Sequence, residues 1–289
     1  MVLKYTLSLL VLILLFSSCE VINPDEKVPA FIHIDKITVD AHVGQGTDSA
    51  YIADAWIYIN SEYIGAYQLP ATIPILKEGT HDIEIRSGVL LNGIASTRTI
   101  NPFYEYQTKT VNLIPDSIVN LTVKTEYNPK VKFVWNSIGQ EGFEEGGISI
   151  DSAKGSTTKI FKTKDEVYEG DFSGQIHLDG DHKIYIGQST EKFHLPTGGR
   201  AVVLEINCKN VSNHFVIGMF VELEGGKIKI VNHLVVNPGP KWKKLYVNFT
   251  ELVSHYPQAK SFRVFFTSEL ESTNKEADIY LDNIKLMHF

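Results

Sequence analysis

Cysteine is scarce: the 289 residues hold two, Cys19 and Cys208. That excludes a disulfide-stapled scaffold and a cysteine-based zinc module. Basic residues are in deficit, 27 Lys plus Arg against 34 Asp plus Glu for a net charge of -7. The chain therefore lacks the positive footprint that holds a phosphate backbone, which argues against nucleic acid as a partner. A helical i, i+3, i+4 stripe of useful length is missing, which removes bundles and coiled coils. Gly-x-Ser-x-Gly, His-Glu-x-x-His and both glycine-rich phosphate-loop patterns are missing too. Glu144 and Glu145 are adjacent, so on a strand they point to opposite faces and cannot act as a glycosidase acid and base. The expectation is a protein that is not an enzyme. What remains, 43% hydrophobic and 21% charged, is an ordinary globular composition with room for one large or two ordinary domains.

The first residues read as an address. Lys4 supplies a short charged region, an apolar run follows from Leu7 to Phe16, and Ser17 and Ser18 precede Cys19. This is a secretory signal, too short for a comfortable membrane span. Leu15-Phe16-Ser17-Ser18-Cys19 resembles the lipobox of bacterial lipoproteins; an ordinary signal peptide cut near Ser18 is the alternative. The resemblance implies a signal peptide over 1–18 and acylation of Cys19, making the membrane a partner through a lipid anchor. Each acyl CH2 buried contributes about 0.8 kcal/mol, so two or three chains on one residue bind almost irreversibly. Residues 19–29 carry Glu20, Asp25, Glu26 and two prolines and form an acidic tether. Such a stretch resembles the export signals of Bacteroidota lipoproteins sent to the outer face of the outer membrane. Asp-Ser-apolar triplets at Ser49, Ser117 and Ser152 resemble the O-glycosylation sites of the same bacteria. The implied location is the bacterial outer membrane, lipid-anchored and surface-exposed.

Beyond the tether, period-2 alternation dominates and the class is all-β. Runs at Phe31 to Val39, Ala55 to Asn60, His81 to Arg86, Tyr106 to Ile114 and Ile118 to Thr125 predict a first sandwich over 30–127. A connector follows, and the pattern restarts at Val131. Nine further runs over 131–289 predict a jelly roll: Gly147 to Ile150, Gly174 to Leu178, Lys183 to Ile186, Ala201 to Cys208, His214 to Leu223, Lys227 to Val236, Trp242 to Phe249, Phe262 to Thr267 and Asp278 to Leu286. Thr250 to His255 is the one stretch expected to make a helical turn. Leu204, Ile206 and Cys208 alternate onto one face, which makes the thiol a small buried apolar group rather than a nucleophile. Trp56 and Trp242 are read as packing residues, and Trp135 as a hinge contact. His177-x-Asp179-x-Asp181-His182 is dense in ligand types, but Asp179-Gly180-Asp181 reads as a hairpin turn.

Ala55 to Asn60, Tyr63-Ile64-Gly65, Leu69-Pro70-Ala71 and Leu76 to Ile85 resemble PEGA-type, Ig-like surface sandwiches, which implies an adhesive or spacer domain. Phe143-Glu144, Glu169 to Leu178, Lys241 to Val247 and Ile279 to Leu286 resemble galactose-binding-like jelly rolls, which include many carbohydrate-binding modules. That resemblance implies a glycan ligand. It also implies a structural Ca2+ held by Glu144, or Glu145 in its place, and Asp282, with backbone oxygens near Asp171. Two functional readings follow: a lipoprotein binding a glycan or other surface ligand through the jelly roll, or an accessory structural subunit docked to an outer-membrane protein for assembly, secretion or uptake.

Overall fold

The DAWIYI strand β3 (Asp54–Ile59) shows how the alternation becomes structure. Ala55, Ile57 and Ile59 are fully buried, each of the isoleucines contributing about 1.5–3 kcal/mol of burial. Asn60 and Ser61 then take φ of 49° and 70°, the positive values of a tight turn whose twist suits a hairpin. In the computed structural model, which describes residues 26–289, the chain forms two β-sandwiches in tandem, the second a jelly roll.

In the first, β4 (Glu62–Gln68), β3, β6 (Gly79–Leu90) and β7 (Arg98–Ile100) form one sheet in that order, with β8 (Gln107–Leu113) also on β6. The facing layer is split. β5 (Ala71–Ile75), β1 (Ala30–Ile34) and β9 (Ile118–Asn120) make one piece, and β10 (Val123–Glu126) with β2 (Ile37–Asp40) the other. The sequence predicts one strand from Phe31 to Val39, whereas the chain breaks at Asp35 and Lys36. The buried parity shows why: Ile32 and Ile34 face the core, and then Ile37 and Val39 do. The partner slips by one residue across the same break, with Phe31 opposite Ile118 and then Ile37 opposite Val123, so both segments bend together as at a bulge.

The second sandwich opposes two sheets. One runs β13 (Ile160–Thr163), β14 (Ser173–Leu178), β21 (Ala277–His288), β16 (Val202–Asn210), β19 (Gly239–Asn248), with β11 (Lys132–Phe133) also on β21. The other runs β12 (Ile150–Ser152), β15 (Ile184–Ser189), β20 (Ser261–Glu269), β17 (Phe215–Glu222), β18 (Ile228–Val236). Helix α1 (Thr250–Ser254) is the expected turn. Cys208 sits in the core beside Leu204 and Ile206, and burial pushes its thiol up to about 12. Trp135, expected at a hinge, is in this core against Phe193, its Nε1 donating to Ser149 Oγ at 2.8 Å. The Asp179 turn is not a hairpin: it carries the chain from β14 in one sheet to β15 in the other. Asp179 Oδ1 accepts the N–H groups of Asp181 and His182.

The two halves share a core. Val203, Tyr246 and Met287, on the outer face of the jelly roll's first sheet, complete the first sandwich's cluster. Around them lies a buried polar network. Tyr104 and Tyr127 hydroxyls each donate to Glu205 at 3.3 Å, and Lys244 Nζ stands 3.5 Å from it. Lys285 Nζ donates to Thr47 O and to Tyr127 Oη.

Candidate functional site

The outer face of the β12-β15-β20-β17-β18 sheet is left open as a cleft of about 650 Å³. Its side chains follow from strand register, because residues directly paired across strands share a face. One row runs Ser261, Glu222, Ile228 and the next Arg263, Phe220, Ile230. A third runs Gln188, Phe265, Gly218, Asn232. Gly218 is required there, since a Cβ would stand 2.3 Å from Val231 O and 2.6 Å from the Phe265 ring. The missing side chain lets Phe265 lie flat over the strand, and Phe220 stacks on it at 4.7 Å between centroids and 27° between planes. Phe265 is buried beneath, and Phe220 is the half-buried ring toward the cleft.

Polar groups flank the rings. Gln188 and Asn232 close the third row from opposite strands, about 14 Å apart at the backbone by strand spacing, and their amides take no protein hydrogen bond among the described residues. Glu222 is held by Lys192 and accepts Ser261 Oγ at 2.8 Å; these two hydrogen bonds, Lys192 first, lower its carboxyl below the usual range. Arg263 Nη1 donates to Ser189 O. An aromatic floor between uncommitted amides suits a ring with an apolar face and equatorial hydroxyls.

The implied calcium ligands are arranged otherwise. Glu144 Oε1 accepts the N–H groups of Asp171 and Phe172, both at 2.9 Å. Asp282 accepts those of Tyr168, Glu169 and Asn283, and burial pushes it up to about 7 against their pull. The 168–172 loop thus offers donors where Ca2+ wants six to eight oxygens. Among the described residues no group of three or more His, Cys, Asp or Glu gathers as a metal site. In this arrangement the two carboxylates pin a loop.

Other expected residues are dispersed. Cys19 lies outside the described residues. Ser49 Oγ donates to Asn207 Oδ1 at the junction between sandwiches, Ser117 Oγ closes a turn on Ile114 O, and Ser152 is exposed on β12. Trp56 lies outside the first core in an outer aromatic patch, 5.7 Å from Tyr63, with Tyr58 and Arg86 adjoining. Trp242, expected in the sandwich body, is outside the second core, 5.6 Å from Tyr168 and 6.4 Å from Tyr280. The cleft phenylalanines were not singled out in the sequence, where Phe262, Phe265 and Phe266 are indistinguishable without strand parity. No helix among the described residues is long and apolar enough to cross a membrane.

No protein-family model matches the chain, and no curated protein does. Solved structures show partial likeness. The xylan-binding domain CBM22-1 of Paenibacillus barcinonensis Xyn10C is 17% identical over 52% of this chain and 92% of its own, at a TM-score of 0.39. A carbohydrate-binding module of the β-sandwich superfamily, described for promiscuous specificity, covers 91% of this chain and 99% of its own at 12% identity and 0.40. TmCBM61 in complex with β-1,4-galactotriose covers 52% and 95% at 16% identity and 0.34. Scores of this size establish no shared ligand or site; the β-sandwich class rests on the strand pairing described above.

Proposed function

We propose that the protein is a non-catalytic lipoprotein, anchored through Cys19 at the bacterial outer membrane and surface-exposed, that binds a glycan in the cleft on the jelly roll's open sheet. The observation that carries the ligand reading is the Phe220–Phe265 stack, set between the Gln188 and Asn232 amides. A saccharide lies with its C–H face on Phe220 and its hydroxyls toward the amides, a division of labour that aromatic binding sites use generally. The lipid anchor is supported by the Ser17-Ser18-Cys19 ending and the acidic residues behind it.

Calorimetric titration of the mature protein with a panel of soluble polysaccharides tests the cleft. Phe220→Ala should weaken binding about tenfold, equivalent to about 1.4 kcal/mol, with the melting temperature held. Absence of binding by the wild type, or equal binding by the variant, defeats the reading. The anchor is tested separately: Cys19→Ala should release the protein from membranes of its host. The docking reading is favoured by the apolar edge of the same sheet, where Ile228 and Ile230 of β18 are 52% and 64% exposed. Its signature is a stoichiometric outer-membrane protein that co-purifies in mild detergent and is lost in Ile230→Glu.

A further inference from the structure

A second pocket, about 410 Å³, lies on the opposite sheet of the jelly roll where the first sandwich meets it. Tyr51, Leu90 and Gly93 line it from the first sandwich, and Tyr168, Trp242 and Leu245 from the second. Its walls are fixed by hydrogen bonds across the junction. Tyr51 N donates to Tyr246 Oη at 2.9 Å, Asn92 N to Tyr246 O at 2.8 Å, and Asn248 N to Asn92 Oδ1 at 3.0 Å. Gly93 sits at φ +68°, a backbone conformation that glycine adopts without strain, and a Cβ there would press on Leu245 Cδ2 at 2.8 Å. On the far wall Asp282 accepts Tyr168 N and Glu169 N, which holds the Tyr168 loop in place.

The lining defines the ligand. Trp242 and Tyr168 meet at 62° with centroids 5.6 Å apart, giving an aromatic corner, and Tyr51 stands 52% exposed at the rim. The Tyr51 and Tyr168 hydroxyls and Trp242 Nε1 take no protein hydrogen bond among the described residues. The two lysines at the pocket have their ammonium groups committed: Lys243 to Asn237 O, and Lys244 to Asn207 Oδ1 and the buried Glu205. Apolar ring faces with polar ends match a sugar ring; Lys244 is compensated by Glu205, whereas Lys243, held on the uncharged Asn237 O, keeps its positive charge and disfavours a cationic ligand. The volume is at the small end of ligand pockets, about 300–1,000 Å³, which suits the end of a glycan rather than the middle of a polymer.

We propose that this junction pocket is a binding site for the terminal rings of a neutral glycan, distinct from the open-sheet cleft and built by both sandwiches together. It stands whether or not the cleft binds.

Tryptophan emission separates the two sites, because the cleft contains no tryptophan. The full mature chain is titrated with neutral mono-, di- and trisaccharides of galactose, glucose, mannose and xylose. At least one should produce a saturable change in emission. Trp242→Phe should abolish that change, identifying the reporter. Tyr51→Ala should raise the apparent Kd at least about tenfold while keeping the backbone hydrogen bond to Tyr246, and Phe220→Ala should leave the titration unaltered. The proposal is overturned if none of the sugars gives a saturable change, if the change survives Trp242→Phe, if Tyr51→Ala titrates as wild type, or if Phe220→Ala abolishes it.

Discussion

Replacing Glu205 with glutamine should destabilise both sandwiches at once. The carboxylate is fully buried and draws on both halves: Tyr104 and Tyr127 from the first, Lys244 from the second. Desolvation already lowers Lys244, with Glu205 the main opposing pull. Lys285, also fully buried, is pushed down to about 8 by burial, again with Glu205 pulling the other way. The amide keeps the shape and removes the charge, so Lys244 loses its ion-pair partner and Lys285 a stabilising negative charge. Breaking a buried pair in this way costs about 3–5 kcal/mol. At about 2 °C per kcal/mol for a chain of this size, the melting temperature should fall by about 8 °C. Because the network and Tyr246 tie the halves together, calorimetry should record a single transition in both proteins. Glu205→Leu combined with Lys244→Met should recover part of the loss, since an apolar substitute for a buried pair is often neutral. A variant melting within about 2 °C of wild type, or a wild type melting in two steps, would refute the reasoning.

Further expectations are independent of that one. Burial holds Lys285 at about 8 against an ordinary 10.5, so between those values the unfolded chain binds a proton the folded one does not. The Lys285 contribution to stability should therefore rise with pH from about 8 toward 10, by up to about 3 kcal/mol, opposed above about 9 by Cys208, whose thiol ionises first in the unfolded chain; the difference between wild type and Lys285→Met in urea unfolding isolates it. Gly218→Val should both destabilise the protein and abolish polysaccharide binding, because the side chain meets Val231 O and displaces Phe265; unchanged binding would show that the Phe stack is not the platform. Chelation with EDTA should leave the melting temperature unaltered, whereas Glu144→Ala should make the 168–172 loop a site of proteolysis by freeing two N–H groups. Cys208, buried with its thiol near 12, should react with a thiol reagent only after unfolding.

Strand class and most strand positions were legible because alternation needs no tertiary information. The jelly roll's long strands β16 to β21 each lie within two or three residues of the periodic run that predicts them. β5 escaped notice because Pro74 reads as a breaker; it is tolerated on an edge strand, paired only to β1. β13 escaped because IFKT is short and one of its two apolar residues, Phe161, faces solvent. The site was less legible. Parity separates Phe265 from Phe262 and Phe266, but which parity faces outward depends on which side the opposing sheet covers. Glu144 and Asp282 were legible as residues with a structural task, but their partner was not: a carboxylate near a loop takes a cation or backbone N–H groups according to which way the loop's peptides turn.

That dependence on the partner layer explains the tryptophans as well. Trp242 lies on a strand whose inner face, Leu245 and Val247, belongs to the jelly-roll core, so its own parity places it outside. Outside a lone jelly roll would mean solvent, and a tryptophan there would be unexplained. In this chain the same outer face is occupied further along by the first sandwich, which buries Val203, Tyr246 and Met287, and Trp242 marks the place where that cover stops. Expressing 131–289 alone would strip the cover from three apolar side chains and from Glu205, Lys244 and Lys285 together. The first sandwich is therefore a structural half of the second and not a removable spacer, and binding assays on the isolated jelly roll should report on a destabilised protein lacking one of its two proposed pockets.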